Sequence, residues 1–293
     1  MIDDALFPSE PPLILGLMRL LDYPELARPK ALATWIQARL AEGLTTFDHA
    51  DIYGDGACET AFGTALRSVP GLSQQVRLIT KAGIVPAPAD GSVWRCKHYR
   101  ATAAHLTRAI DHSLRRLAVE RIDAFLIHRP DPLMEATDVA YALENAVAAG
   151  KIRQIGVSNF LPAQWRWLKQ NTSLPISCNQ SELSLRHSSP LFDGTLEAHL
   201  HDGVRWLAWS PLAGGQLTRG SLGAFMDRVT EETGLSATAQ AIAWLRQLPG
   251  SPVPVIGSLN PDRIQQALTG SQASLPRPLW FALLEAARGH PVA

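Results

Sequence analysis

The sequence predicts an α/β chain closed into a (β/α)₈ barrel, on three observations. Short apolar runs alternate with longer, helically spaced segments, and the alternation recurs eight times. The runs are too apolar to face water, as befits strands of a parallel sheet covered by helices. The eight units fit within about 250 residues, the usual size of one closed barrel. No G-x-G-x-x-G follows the first run, which weighs against an open dinucleotide-binding sheet. No internal repeat or low-complexity linker divides the 293 residues, so 1–293 reads as a single domain.

The first strand is Leu13–Met18, followed by a helix over Pro29–Glu42 with Leu32, Trp35, Ile36 and Leu40 on one face and Gly43 as its stop. The stretch Thr46-Phe47-Asp48-His49-Ala50-Asp51-Ile52-Tyr53-Gly54-Asp55-Gly56 gives the second strand and a glycine-rich turn, with a helix over Glu59–Val69. Val76–Lys81 is the third strand. A loop from Ala82 to His98 carries Trp94, and Tyr99–Ala118 is a helix with Leu106, Ile110, Leu114 and Leu117 in register. Ile122–His128 and Met134–Ala149 form the fourth unit. Ile152–Val157, ending in Ser158-Asn159, and Pro162–Gln170 form the fifth. Ile176–Gln180 and Leu191–His201 follow, then Val204–Trp209 and a long glycine-rich connection from Leu212 to Leu235. Ser236 N-caps a helix to Gln247. Val253–Gly257 and Pro261–Leu268 complete the eighth unit, and Pro276–Arg288 adds a last helix.

Composition narrows the function. Lys and Arg total 27 and so do Asp and Glu, so no basic surface points to nucleic acid or an anionic membrane. No run of about 18 apolar residues spans a bilayer, and Met1–Glu10 carries no signal-peptide pattern. Three scattered cysteines, Cys58, Cys96 and Cys178, form neither a disulfide framework nor a metal motif. These features predict a cytoplasmic protein without metal.

In a barrel, functional side chains sit at the C-terminal ends of strands. Asp48, Tyr53, Lys81 and His128 all stand there, on strands two, three and four. Taken singly, each has a bland alternative: a capping aspartate, a rim tyrosine, a snorkelling lysine, a core histidine. Tyr23, Trp94, His98 and Tyr99 fall in loops that either line a pocket or pack its rim. His49 points into the barrel or fills space, and Cys58 opens a helix.

Several stretches together resemble the aldo-keto reductases: Phe47–Gly54, Thr80-Lys81, Leu126–Asp131, Gly150–Phe160, Asn179-Gln180, Trp209–Gly215 and Val255–Ser258 through Arg263. They span residues 13 to 268 in family order, and their wording is closest to the bacterial oxidoreductase branch. The resemblance implies reduction of an aldehyde or ketone by hydride transfer from NADPH, with NADH the weaker cofactor. It implies Tyr53 as general acid, Lys81 lowering the phenol's pKa, Asp48 holding Lys81, and His128 orienting the carbonyl oxygen. It also implies cofactor contacts. Ser158, Asn159 and Gln180 would meet the carboxamide, and Trp209 would stack on the nicotinamide where Tyr is usual. Ser210, Leu212 and Gly214 would cover the pyrophosphate, with Gly214–Gly223 as a lid or an ordinary mobile loop. Gly16, Met18, Ile256 and Gly257 would also line the cofactor, with Ser258 and Arg263 at the 2′-phosphate and Gln266 near the adenine. No lysine or arginine occurs in Gly257–Asn260, where strongly NADPH-selective members carry one. The partner implied is a small carbonyl compound. The alternative is a nicotinamide-sensing regulatory subunit like the channel β subunits of this fold, which turnover would distinguish.

Overall fold

The computed structural model describes residues 13–87 and 96–292. Eight parallel strands form a closed barrel, the fold class the sequence predicts. In chain order its strands are β1 (Ile14–Gly16), β2 (Thr46–Asp48), β3 (Arg77–Ala82), β6 (Ile122–Ile127), β7 (Ile152–Ser158), β8 (Ile176–Glu182), β9 (Arg205–Trp209) and β10 (Val253–Ile256). Two further short strands, β4 (Ile84–Val85) and β5 (His98–Tyr99), pair as an antiparallel hairpin outside the barrel. By contact density the chain falls into two compact units, one of Gly16–Asn179 and one of the residues from Gln180 on together with the strand residues up to Leu15.

The first unit carries α1 (Pro29–Ala41), α2 (Ala57–Arg67), α3 (Ala103–Leu117), α4 (Ala136–Ala148) and α5 (Pro162–Lys169). Its strand register fixes where side chains emerge. Asp48 pairs with Ile79, Lys81 with Leu126, and Leu126 with Gly156. Side chains two residues apart share a strand face. Lys81 therefore stands one step above the Asp48–Ile79 level, His128 one step above Lys81–Leu126, and Ser158 one step above Leu126–Gly156. This stagger is what a tilted barrel imposes, and it brings the polar strand ends to one rim. Beside Asp48, the ring of His49 is fully buried edge-on against Phe62, 4.7 Å between centroids.

The second unit carries α6 (Thr195–Asp202), α7 (Gly220–Thr233), α8 (Ala237–Arg246), α9 (Pro261–Gln272) and α10 (Arg277–Arg288). Helix α8 is almost entirely buried, from Ala239 to Leu245. The indole of Trp280 stacks on Trp244 at 5.0 Å and donates from Nε1 to the Trp244 carbonyl at 2.8 Å. Gln240 Nε2 donates to the carbonyls of Met226 and Leu235, tying α8 to α7.

Four expectations change. The loop read between Ala82 and His98 begins and ends in the β4–β5 hairpin, whose two-residue strands are too short to show a period; Trp94 lies outside the described residues. The third helix starts at Ala103 because Tyr99 belongs to β5 and Thr102 caps the helix, its hydroxyl accepting from the His105 amide. The sixth helix starts at Thr195, behind Gly194 at φ 87°, after a 3₁₀ turn over Ser189–Leu191. The connection Leu212–Leu235 contains α7, on which Leu222, Met226 and Val229 are buried. The stretch proposed as a lid is thus partly helix. Gly223 is required there, since a Cβ would lie 2.4 Å from the Thr218 backbone.

Two outcomes test this packing. At Gly63 of α2, a Cβ would lie 2.1 Å from the Arg116 carbonyl oxygen and 2.6 Å from the Leu117 backbone. Gly63→Ala is therefore expected to lower stability by about 1–3 kcal/mol in urea unfolding. The second concerns acid. Burial, then the nearby Lys81 charge, push the His49 pKa down to about 3, so between that value and about 6.5 the unfolded chain binds a proton the native chain refuses. This contribution is intact above about pH 6.5 and is lost as pH falls toward 3. His49→Phe should remove about 1.4 kcal/mol of acid sensitivity per pH unit below 6.5; an unaltered slope would mean that His49 does not titrate on unfolding.

Candidate active site

The site in the first unit is built around one ammonium group. Lys81 Nζ donates to Asp48 Oδ1 at 2.7 Å, to Asp48 Oδ2 at 2.8 Å, to the His49 carbonyl at 2.6 Å and to the Tyr53 hydroxyl at 3.2 Å. Lys81 and Asp48 are buried, at 1% and 2% exposure. The His128 ring stands edge-on to Tyr53, centroids 6.1 Å apart. The four strand-end residues singled out in the sequence are therefore together.

The chain delivers Tyr53 through a turn that few residues can make. Gly54, Asp55 and Gly56 follow it at φ 56°, 53° and 81°. The left-handed conformation costs an L residue of order 1 kcal/mol, so glycine at two of the three positions relieves most of it. The turn is held from below. Thr80, next to Lys81 on β3, donates to Glu59 Oε1 at 2.7 Å, and Arg116 of α3 reaches Glu59 Oε2 at 3.5 Å. A Cβ on Gly56 would run into the Arg116 guanidinium. The Asp51 amide donates to the Lys81 carbonyl at 2.9 Å. Sequence reading missed this support. Glu59 reads as an ordinary acid in the first turn of a helix, and nothing marks Arg116 as its partner.

The electrostatics assign each group a protonation state. Burial alone would lower Lys81, but the Asp48 carboxylate and then Tyr53 lift it, so it stays an ammonium. Burial raises the Tyr53 phenol above its ordinary value; Lys81 pulls the other way without overcoming it. Lys81 acts in the expected direction, lowering the phenol's pKa, but desolvation outweighs it, and Tyr53 keeps its proton at neutral pH. Burial, then Lys81, Arg129 and Lys97, hold His128 down to about 2. It is a neutral imidazole, and its Nδ1 is buried without a hydrogen-bond partner.

Along the same rim, Asn159 sits at φ 62° and donates from Nδ2 to the His128 carbonyl at 3.2 Å and to Ser158 Oγ at 2.9 Å. Asn179 clamps the next residue, accepting from the Phe160 amide and donating to its carbonyl. Gly16 is buried where β1 ends, whereas the Met18 side chain is 55% exposed.

The second unit has polar and aromatic residues at its own strand ends. Gln180 is buried on β8, and Trp209 is half-buried at the end of β9. A turn with left-handed residues follows: Ser210 at φ 54°, Ala213 at 48°, Gly214 at 62° and Gly215 at 86°. It is closed by the Ala213 amide on the Ser210 carbonyl and the Gly215 amide on Leu212. Ile256, the last residue of β10, is buried, and beyond it Gly257 is exposed and Ser258 half-buried. Asn260 caps α9, its Oδ1 accepting from the Arg263 amide at 3.2 Å. Arg263 and Gln266 are exposed on the first two turns of α9. Space beside Gly214, Gly215 and Gly257 is open, with no atom within 4 Å of an added Cβ. Among the described residues no group of histidine, cysteine and acidic side chains could hold a metal ion, and no helix is long and apolar enough to cross a membrane.

Comparison with known proteins agrees with this chemistry. The model of the Aldo/keto reductase family matches residues 12–277. A 6-dehydroglucose reductase of Agrobacterium fabrum is 39% identical over 284 residues, covering 96% of this chain and 95% of its own. Oxidoreductase YdhF of Escherichia coli K12 is 38% identical, covering 95% and 94%. Among solved structures, an aldo/keto reductase from Klebsiella pneumoniae in complex with NADP and acetate has a TM-score of 0.78 at 24% identity, covering 97% and 93%, a likeness that bears on the fold. The chain belongs to the aldo/keto reductase family and is an NAD(P)H-dependent oxidoreductase acting on carbonyl compounds.

Proposed function

We propose that the chain reduces an aldehyde or ketone to an alcohol with NADPH, and that Tyr53 is the general acid. The observation that carries this reading is the Lys81 ammonium, chelated by both Asp48 oxygens and 3.2 Å from the Tyr53 hydroxyl. A bound reduced nicotinamide supplies the hydride. As the carbonyl carbon accepts it, the oxygen gains negative charge and needs a proton. The Tyr53 O–H, protonated at neutral pH, gives that proton to the oxygen and becomes a phenolate. The adjacent ammonium stabilises the phenolate only once charge has formed, which is where catalysis gains from it. Asp48 holds Lys81 in place and charged. His128, neutral at working pH, offers a ring N–H to the carbonyl oxygen and orients it without competing as an acid.

Ser158, Asn159 and Gln180 would hold the carboxamide, Trp209 the ring face, and Ser210, Leu212 and Gly214 the pyrophosphate, with Gly16, Met18, Ile256 and Gly257 alongside. Arg263 and Ser258, beside the N-terminus of α9, would favour a 2′-phosphate, and Gln266 would meet the adenine. We further propose that the chain acts as one catalytic domain. The name of the 39% identical relative recommends a sugar-derived carbonyl compound as the first substrate to assay.

Two outcomes follow. Tyr53→Phe is expected to lower carbonyl reduction by about 10²–10⁴-fold while NADPH still quenches tryptophan fluorescence; full turnover would remove Tyr53 from the acid's role. Arg263→Ala is expected to weaken NADPH by about tenfold or more and leave NADH unchanged. Equal loss for both cofactors would take Arg263 away from the 2′-phosphate.

A further inference from the structure

Beside the turn that carries Tyr53, the first unit holds a cavity of about 200 Å³. Asp51 and Asp55 line it from that turn, and Tyr53 does not. The facing wall is α3, which presents His105, Arg108, His112 and Arg116. Their spacing of three, four and four residues puts all four on one stripe of the helix. Ile84 and Val85 of β4 give the cavity an apolar side. It is therefore cationic on one wall and carboxylic on the other.

Two buried atoms in this lining, Asp51 Oδ1 and His105 Nε2, have no hydrogen-bond partner. Such atoms are costly to leave unmatched. Burial, with Glu59 adding to it, lifts the Asp51 carboxyl to about 7. Burial, then Arg100 and Arg108, lower His105, which stays neutral. A half-protonated carboxyl and a neutral imidazole both donate and accept, and a hydroxyl matches them better than a full charge does. The guanidiniums opposite ask for an anion. Arg108 is exposed and makes no ion pair among the described residues, and Arg116 reaches Glu59 only at 3.5 Å. Planar guanidiniums suit a carboxylate.

We propose that this cavity binds a small hydroxycarboxylate of the sugar-acid type, its carboxylate on Arg108 and Arg116 and its hydroxyls on Asp51 and His105. The proposal does not rest on the role given to Tyr53. Its consequence reaches the active site, because a ligand bonded to Asp51 braces the turn that presents Tyr53.

Isothermal titration calorimetry of the full chain with D-gluconate tests it, with sorbitol and acetate as the two half-ligands. Gluconate should bind saturably at one site, with each half-ligand about tenfold weaker or more. Arg108→Gln, a change at an exposed position outside the catalytic group, should weaken gluconate about tenfold or more and leave the unfolding midpoint unchanged. His105→Ala should weaken it as well. Absence of saturable heat with gluconate up to about 20 mM, or undiminished affinity in both variants, would overturn the proposal.

Discussion

The buried ion pair between Lys81 and Asp48 is the constraint on which the rest of the site depends. Taking an ammonium and a carboxylate out of water costs several kcal/mol each, and their attraction repays this only when geometry is near ideal. Here it is: both carboxylate oxygens accept from Nζ, and the His49 carbonyl takes a third bond. The pair holds only if β2 and β3 keep their register, because a slip of one residue would turn Asp48 to the other face. Hydrophobic residues of similar volume would serve stability as well or better. The pair is thus better understood as a device that keeps a positive charge fixed beside a phenol than as a source of folding energy.

A fixed cation is useful only if the phenol meets it, and the meeting depends on the left-handed turn after Tyr53. The strain there is offset from the outer side by a second buried charged group, Glu59, bonded to Thr80 and approached by Arg116. Thr80 and Lys81 are neighbours on one strand, so the two charged networks grip β3 from opposite faces. Strand β3 is thus positioned by polar contacts on both sides.

Much of this was legible in the sequence, for reasons particular residues make plain. The barrel strands announce themselves as short, mostly apolar runs that alternate with helically spaced segments. The four residues of the site were legible because barrel chemistry sits at strand ends, and each of the four ends a strand or follows one. What was hidden depends on distances along the chain or on competing signals. Helix α7 was obscured by Gly220 and Gly223, although Leu222, Met226 and Val229 carry its period; Gly223 is there for a close approach to Thr218, not for a turn. The hairpin of β4 and β5 has no period to detect. Arg116 lies 57 residues from Glu59, and no local pattern links them. The sign of the Tyr53 shift was also out of reach, since a sequence shows a nearby cation but not the depth of burial that outweighs it.

That sign bears on how the proposed chemistry divides its labour. A phenol lowered far below its usual value would lose its proton at neutral pH and have none to give. A phenol raised by burial keeps the proton, and Lys81 stabilises the product of transfer instead of the starting state. His128 is held neutral by the same burial and the same cation, so it can donate a hydrogen bond to the carbonyl oxygen without becoming the acid. One lysine thus separates two adjacent groups that both carry exchangeable protons. Burial first, and Lys81 after it, make the imidazolium too costly to form, and Lys81 lowers the cost of the phenolate once the carbonyl oxygen demands a proton. In the proposed chemistry the distinction between acid and orienting group follows from burial of both groups together with a charge that lies 3.2 Å from the tyrosine hydroxyl.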